Sequence, residues 1–205
     1  MIEVSEIRKR FDELSRPILE SGRFYQLASF TQHGNTSTLD HVIAVAYSSF
    51  VFALNARLNI DENALVRGAL LHDYYLYDWH NHEAAPDNWH GFTHPRHALN
   101  NARIDFPDLN SIEEDIILHH MFPLVPIPPH TKEAWIVSSF DKACSTAETL
   151  LGNPYKKGSR HTSNLRSDLS SSENLFHTST EEQLNQFERA QASYTTHHSA
   201  RKDFS

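Results

Sequence analysis

GALLHDYYLYDWH, residues 68–80, places a histidine and an aspartate side by side at the end of an apolar helical pattern. Adjacent helical residues point about 100° apart, so His72 and Asp73 do not stack on each other, but both can reach one ion near the helix end. An imidazole nitrogen together with a carboxylate oxygen suits a divalent cation such as Mn, Fe, Co, Zn or Mg. Burying the aspartate without a cation would be costly. The pattern therefore predicts a metal site at this helix end.

Two further residues of ligand type lie in apolar helical surroundings elsewhere in the chain. His41 stands between Leu39 and Val42, and Asp141 lies in a later helical pattern. A buried polar side chain needs a partner, and a shared ion would supply one. The alternatives are a hydrogen-bonded core histidine at position 41 and an ion pair between Asp141 and Lys142.

The rest of the pattern before residue 152 is helical, and no segment alternates with a two-residue period, so an all-α fold without a sheet is expected. The apolar stretch LDHVIAVAYSSFVFALNARL, residues 39–58, has the composition of a buried central helix. The predicted helices are residues 2–27 with an interruption at Pro17, 39–58, 61–73, a segment that has Pro95 in its first turn, 111–121, and 132–150.

Several helix starts carry capping residues. Ser37 or Thr38 is expected to cap the second helix, and Asp61 the third. Ser111, with Glu114 three residues later, has the spacing of a capping box.

Composition limits the classes of partner. The formal net charge of −8 argues against strong nucleic-acid binding, because phosphate contacts need clustered Lys and Arg. No run of eighteen apolar residues occurs, so no membrane span is expected. The single cysteine, Cys144, cannot form an internal disulfide, which fits a cytoplasmic protein. The sequence carries no mark of oligomeric state. Histidine is unusually frequent, with 15 in 205 residues.

The chain divides into three parts by composition. Residues 1–29 are expected to form an N-terminal helical extension that packs on the core, and residues 30–152 the compact helical core. Residues 153–205 are rich in Ser, Thr, His and charge and poor in large apolar side chains. A segment of that composition buries little surface, so a poorly packed, flexible polar tail is predicted.

The order His41, His72-Asp73, Asp141 resembles the H…HD…D signature of the HD-domain superfamily of metal-dependent phosphohydrolases. The similarity covers about residues 30–150 and extends to a bacterial subgroup of unassigned substrate. The sequence segments that show the similarity are GALLHDYYLYDWH (68–80), GFTHPRHALNNA (91–102) and ILHHMFPL (117–124). The resemblance implies a single compact HD-domain helical bundle.

The resemblance also implies one or two divalent metal ions per chain (Mn, Fe, Co, Mg or Zn). The first ion would be held by His41, His72, Asp73 and Asp141. Asp73 would bridge to a second ion held by His94 and by His119 or His120, of which His120 is favoured because adjacent helical side chains diverge.

The implied activity is a hydrolase that cleaves the phosphate ester of a nucleotide or of another small phosphorylated metabolite. Hydroxide generated at the metal would be the nucleophile, with Asp73 at the centre of the site. Lys142 and Arg67 are candidate phosphate ligands because of their positions beside Asp141 and one turn before His72. Two alternatives remain: a di-iron oxygenase of the same fold, and a non-catalytic binding module clamped by the metal.

The remaining histidines of this region have simpler interpretations. His94 is alternatively a helix cap beside Pro95, and His33 is either a turn residue or part of the rim of the site. Surface or loop positions are expected for His80, His82, His90 and His97.

Overall fold

The computed structural model describes residues 3–80, 89–151 and 155. Of the predicted polar tail only Tyr155 falls within these residues, and His82, expected at a surface or loop position, lies outside them. The described chain forms the helices α1 (Val4–Leu19), α2 (Thr38–Asn55), α3 (Glu62–Leu71), α4 (His90–Asp105), α5 (Ser111–His119) and α6 (Lys132–Leu151), a 3₁₀ helix (Phe24–Ser29) and the strands β1 (Thr31–His33) and β2 (Thr36–Ser37). The prediction of a compact, all-α helical bundle is confirmed for the described residues.

Helix α2 is the centre of the bundle. It packs against α3 on one side and α6 on the other, while α5 closes the bundle between those two helices. Helix α1 packs on α3 and α2, where the ring of Phe11 meets the edge of Tyr47 at 5.2 Å between centroids. By length and hydropathy α2 would also pass as a membrane span, but 78% of that window is buried inside the bundle.

Helix starts follow the capping residues closely. The Ser37 side chain accepts a hydrogen bond from the Asp40 N–H at the start of α2, and Asp61 does the same at the start of α3. The predicted capping box at Ser111 is wrong by one residue, because Asn110 is the cap of α5 and Glu113 is its reciprocal partner.

Three sequence expectations fail locally. Pro17 does not interrupt α1, which continues to Leu19, and Pro95 lies inside α4 rather than in its first turn. Proline costs a helix one main-chain hydrogen bond, and the tertiary packing of a buried face can outweigh that loss. The chain also contains a two-stranded antiparallel hairpin, β1–β2, that was not expected. Its strands are too short to show alternation, although Gly34 at the turn has the positive φ of 59° that marks such a reversal.

Helices α3 and α5 approach closely at Gly68. A Cβ atom added there would lie 2.6 Å from Ile116 Cδ1 and 3.1 Å from Ile116 Cβ, so only glycine fits without movement of the neighbour. This close packing matters for the site, because His72 and Asp73 follow directly after α3 and His120 follows directly after α5.

Candidate metal centre

Six of the predicted ligands converge on one buried place in the bundle. They come from five helices or helix ends, and each has less than a tenth of its surface exposed. The members of this cluster, the HD cluster below, are His41 (α2), His72 and Asp73 (end of α3), His94 (α4), His120 (end of α5) and Asp141 (α6).

Asp73 lies at the centre of the HD cluster. Its Oδ2 atom is 3.4 Å from His72 Nε2 and 3.9 Å from His41 Nε2. Its Oδ1 atom faces the other way, 3.1 Å from His94 Nε2 and 3.5 Å from His120 Nε2. The two carboxylate oxygens therefore face two different groups of imidazole nitrogens.

Asp141 completes the first of these groups. Its Oδ1 atom is 3.2 Å from His41 Nε2 and 3.8 Å from His72 Nε2. Donor atoms about 2.1 Å from a common ion are separated from each other by roughly 3.0–3.4 Å in octahedral or tetrahedral geometry. The observed separations are close to that range, which a small movement of the side chains would reach.

Three of the four imidazole rings in the HD cluster share one hydrogen-bonding pattern. The Nδ1–H groups of His72, His94 and His120 donate to the main-chain carbonyls of Ala69, His90 and Ile117 at 2.7–2.8 Å. A carbonyl can only accept, so the proton of each neutral ring is on Nδ1 and a lone pair is on Nε2. All three Nε2 atoms point into the HD cluster, which is how histidines are arranged before they bind a metal.

The Nε2 atom of His72 lacks a hydrogen-bond partner among the described residues. The same atom is buried. A buried polar atom without a partner is costly and calls for an explanation such as an ion.

The charges of the HD cluster are strongly coupled. Burial alone would raise the pKa of Asp73, but the neighbouring His72, His120 and His94 hold it well below its ordinary value. Burial alone would likewise lower the pKa of His41, but Glu148 and Asp141 raise it well above the ordinary value. Both shifts favour an ionised Asp73 and a positively charged His41 in the metal-free cluster. A divalent cation would supply the positive charge in place of the His41 proton.

The unexpected hairpin supplies a polar contact to the cluster. Gln32, on β1, donates from Nε2 to Asp73 Oδ2 at 2.6 Å. The Gln32 Oε1 atom accepts hydrogen bonds from Tyr75 Oη at 2.6 Å and Thr38 Oγ1 at 3.1 Å, which fixes the orientation of the amide. Gln32 was not among the predicted site residues, because its position on a three-residue strand leaves no pattern in the sequence.

The structure does not bring His119 to the HD cluster. Its Nδ1 atom is 2.6 Å from Asp115 Oδ1, and the same carboxylate accepts from the side chain of His130 and from the N–H and hydroxyl of Thr131. Asp115 is thereby satisfied by protein groups alone and ties the end of α5 to the start of α6. Of the two adjacent histidines, His120 faces the cluster, as the divergence of neighbouring helical side chains requires.

Arg67 is also turned away from the HD cluster. Its guanidinium pairs with Glu113 at 2.6 Å and with Asp108 at 3.0 Å. The expected phosphate contact from Arg67 is therefore not supported by its position. Lys142 does border the site, but its ammonium donates to the carbonyl of His120 at 2.6 Å and to Ser138.

A cavity of about 550 Å³ opens onto the HD cluster. Asp73, His94 and Asp141 contribute to its wall, and the other wall residues are Gln32, His33, Trp79, His90, Met121, Pro123, Leu124, Lys142 and Ser145. His33 therefore belongs to the rim of the site. His90, expected at the surface, is half-buried in the wall and stacks on Trp79, with ring centroids 5.0 Å apart.

Among the described residues, three groups have ligand atoms within 4.8 Å of one another and could hold a metal ion. Two of them belong to the HD cluster and share His72, and the third is the hydrogen-bonded set of Asp115, His119 and His130. Comparison of the chain with models of known protein families, with curated proteins and with solved structures gives no match.

Proposed function

We propose that this protein is a metal-dependent phosphohydrolase of the HD-domain type, acting on the phosphate ester of a nucleotide or another small phosphorylated metabolite. The observation that carries the proposal is the hydrogen-bonding pattern that three of the imidazoles share. Three rings fix their Nδ1 protons outward on carbonyls and turn their Nε2 lone pairs toward Asp73. A buried set of lone pairs and ionised carboxylates is a binding site for a divalent cation.

The arrangement favours two ions. The first would be held by His41, His72, Asp141 and the Oδ2 atom of Asp73. The second would be held by His94, His120 and the Oδ1 atom of Asp73. Asp73 would then be the bridging carboxylate, and the imidazole nitrogens that face each of its two oxygens support this role.

When bound, such ions supply a water molecule of lowered pKa and compensate the charge of a phosphoryl group. The chain contributes the positions of the ligands and a cavity of about 550 Å³ beside them. Among the described wall residues, Lys142 is the single Lys or Arg side chain. Its ammonium donates to the His120 carbonyl and adds positive charge beside Asp141.

The position of the cavity favours catalysis over a purely structural metal. Asp73, His94 and Asp141 are ligands of the proposed ions and at the same time form part of the cavity wall. A structural site is enclosed by its protein ligands, whereas a catalytic site keeps a position open to water or substrate. A cavity that reaches three of the ligands provides such an opening.

The test begins with protein stripped of metal by a chelator and reloaded separately with Mn²⁺, Co²⁺, Fe²⁺, Mg²⁺ or Zn²⁺. We expect release of phosphate from p-nitrophenyl phosphate or from nucleoside monophosphates with at least one ion, and none from the stripped protein. Tight metal binding without hydrolysis of any phosphate ester would favour a non-catalytic binding module clamped by the metal over a hydrolase. A mixed-valence di-iron signal in electron paramagnetic resonance that changes when substrate is added, without phosphate release, would favour a di-iron oxygenase over a hydrolase.

A further inference from the structure

Glu148 is a buried carboxylate that borders the HD cluster without belonging to it. It lies on α6 with none of its side chain exposed, and its two oxygens are 3.0 and 3.1 Å from His41 Nδ1. The hydroxyl of Tyr155 donates to Glu148 Oε1 at 2.9 Å. No sequence pattern singled out Glu148, because an acidic residue near the end of a helix is ordinarily exposed.

His41 differs from the other imidazoles of the HD cluster in how its outer nitrogen is held. His72, His94 and His120 donate from Nδ1 to neutral carbonyls of their own helices. His41 donates from Nδ1 to the carboxylate of Glu148, which lies on another helix. A carboxylate that accepts from the outer ring nitrogen orients the ring and makes the opposite nitrogen a better metal ligand.

One helix therefore contacts both nitrogens of the His41 ring. Asp141 Oδ1 faces Nε2 at 3.2 Å, and Glu148, seven residues further along α6, faces Nδ1. Residues seven apart lie two turns apart on the same helical face, so the ring fits between the two carboxylates. If Asp141 turns to an ion, Glu148 remains as the anchor that keeps the ring in position.

We infer that Glu148 is a positioning residue for the metal centre: it fixes the His41 ring with Nε2 toward the first ion and strengthens that nitrogen as a ligand. Tyr155 supports it by holding Oε1 of the carboxylate. The inference rests on the proposed function, since it concerns an ion bound by His41. It adds a residue from outside the predicted ligand set.

The test compares Glu148→Gln with a matched control, Glu133→Gln. Both residues lie on α6 and are buried, but Glu133 accepts its hydrogen bond from the Asp61 N–H, at the start of α3. Each stripped protein is titrated with Mn²⁺ or Co²⁺ against a competing chelator, and its unfolding by urea is measured without metal. Tyr155→Phe is the third variant, since it removes only the hydroxyl that holds Glu148.

We expect Glu148→Gln to bind its tightest ion about 10–100-fold more weakly than the wild type, the range usual for loss of a partner behind a metal ligand. Tyr155→Phe should lose less affinity in the same direction, and Glu133→Gln should lose stability but no affinity. Wild-type affinity in Glu148→Gln would overturn the inference while leaving the proposed function intact. If Glu148→Gln does not fold, unchanged affinity in Tyr155→Phe overturns it instead. A wild-type protein that binds no ion would overturn the proposed function, and the inference with it.

Discussion

The Nε2 atoms of His94 and His120 lie 2.9 Å apart, although both rings already donate their Nδ1 protons to main-chain carbonyls. In the neutral rings these two nitrogens face each other as lone pairs, which is repulsive at hydrogen-bond distance. A cation bound by both nitrogens would remove this repulsion, and the nearby Oδ1 atom of Asp73 adds negative charge at the same place.

The first prediction concerns the number of ions. Replacing His94 or His120 by alanine should lower the bound metal toward one ion per chain, because the Oδ1 side of Asp73 then keeps only one imidazole. Elemental analysis of protein purified and reloaded in parallel measures this directly. His119→Ala is the matched control, since it removes the adjacent imidazole, which bonds Asp115 instead. Unchanged stoichiometry in both His94→Ala and His120→Ala would contradict a two-ion centre.

The second prediction concerns the central carboxylate. Asp73→Ala should abolish both metal binding and phosphate release, because it removes the group that faces every imidazole of the HD cluster. The loss of activity should exceed the 10–100-fold typical of residues behind the ligands. Asp108→Ala serves as a control, since that carboxylate is largely exposed and pairs with Arg67. Full activity with normal metal content in Asp73→Ala would remove the basis of the proposal.

The third prediction concerns acid stability. Burial alone would raise the pKa of Asp115, but hydrogen bonds from His130, Thr131 and His119 lower it from 3.8 to about 2. A carboxylate with a lowered folded-state pKa stabilises the protein above its unfolded pKa, and that contribution is lost as the pH falls through the folded value. The free energy of unfolding should therefore fall between about pH 4 and pH 2.

The variant Asp115→Asn isolates this contribution. At neutral pH it should be less stable than the wild type by about 2 kcal/mol, the usual cost of weakening a buried hydrogen-bond group. The difference should shrink toward pH 2, where Asp115 is itself protonated. Urea unfolding of metal-free protein at several pH values measures both curves, and a difference that does not change with pH would refute the assignment.

The fourth prediction concerns the contact between α3 and α5. Gly68→Ala should destabilise the protein by about 1 kcal/mol, because overpacking costs about 1–3 kcal/mol and the better helix propensity of alanine returns only part of it. The double variant Gly68→Ala/Ile116→Val removes the Cδ1 atom that the new Cβ would meet at 2.6 Å. It should be less destabilised than the sum of the two single variants. Strict additivity in thermal or urea unfolding would show that the two residues do not interfere.

Helix starts and the buried central helix could be predicted from the sequence. Ser37 and Asp61 start α2 and α3 as their side chains predict, and the apolar composition of α2 correctly indicates a buried central helix. Such features are local, so they are visible before folding. The convergence of His41, His72, Asp73 and Asp141 is not local: it is implied by the resemblance to the H…HD…D signature, and the four side chains do lie together in the structure.

Other features depend on contacts between distant segments and leave no such trace. Gln32 reaches Asp73 because a short hairpin folds over the end of α3, and Glu148 reaches His41 across 107 positions of the chain. The position of Arg67 one turn before His72 predicts a phosphate contact, whereas its guanidinium pairs with Glu113 and Asp108. The choice between His119 and His120 depended on helix geometry, and the structure directs them to different clusters.

The spacing of acidic residues on α6 makes the length of that helix segment critical. Because each residue turns a helix by about 100°, an inserted or deleted residue between Asp141 and Glu148 would rotate one carboxylate away from the His41 ring while the other stayed in place. Length variation in related chains should therefore avoid the stretch from Asp141 to Tyr155, whose hydroxyl contacts Glu148.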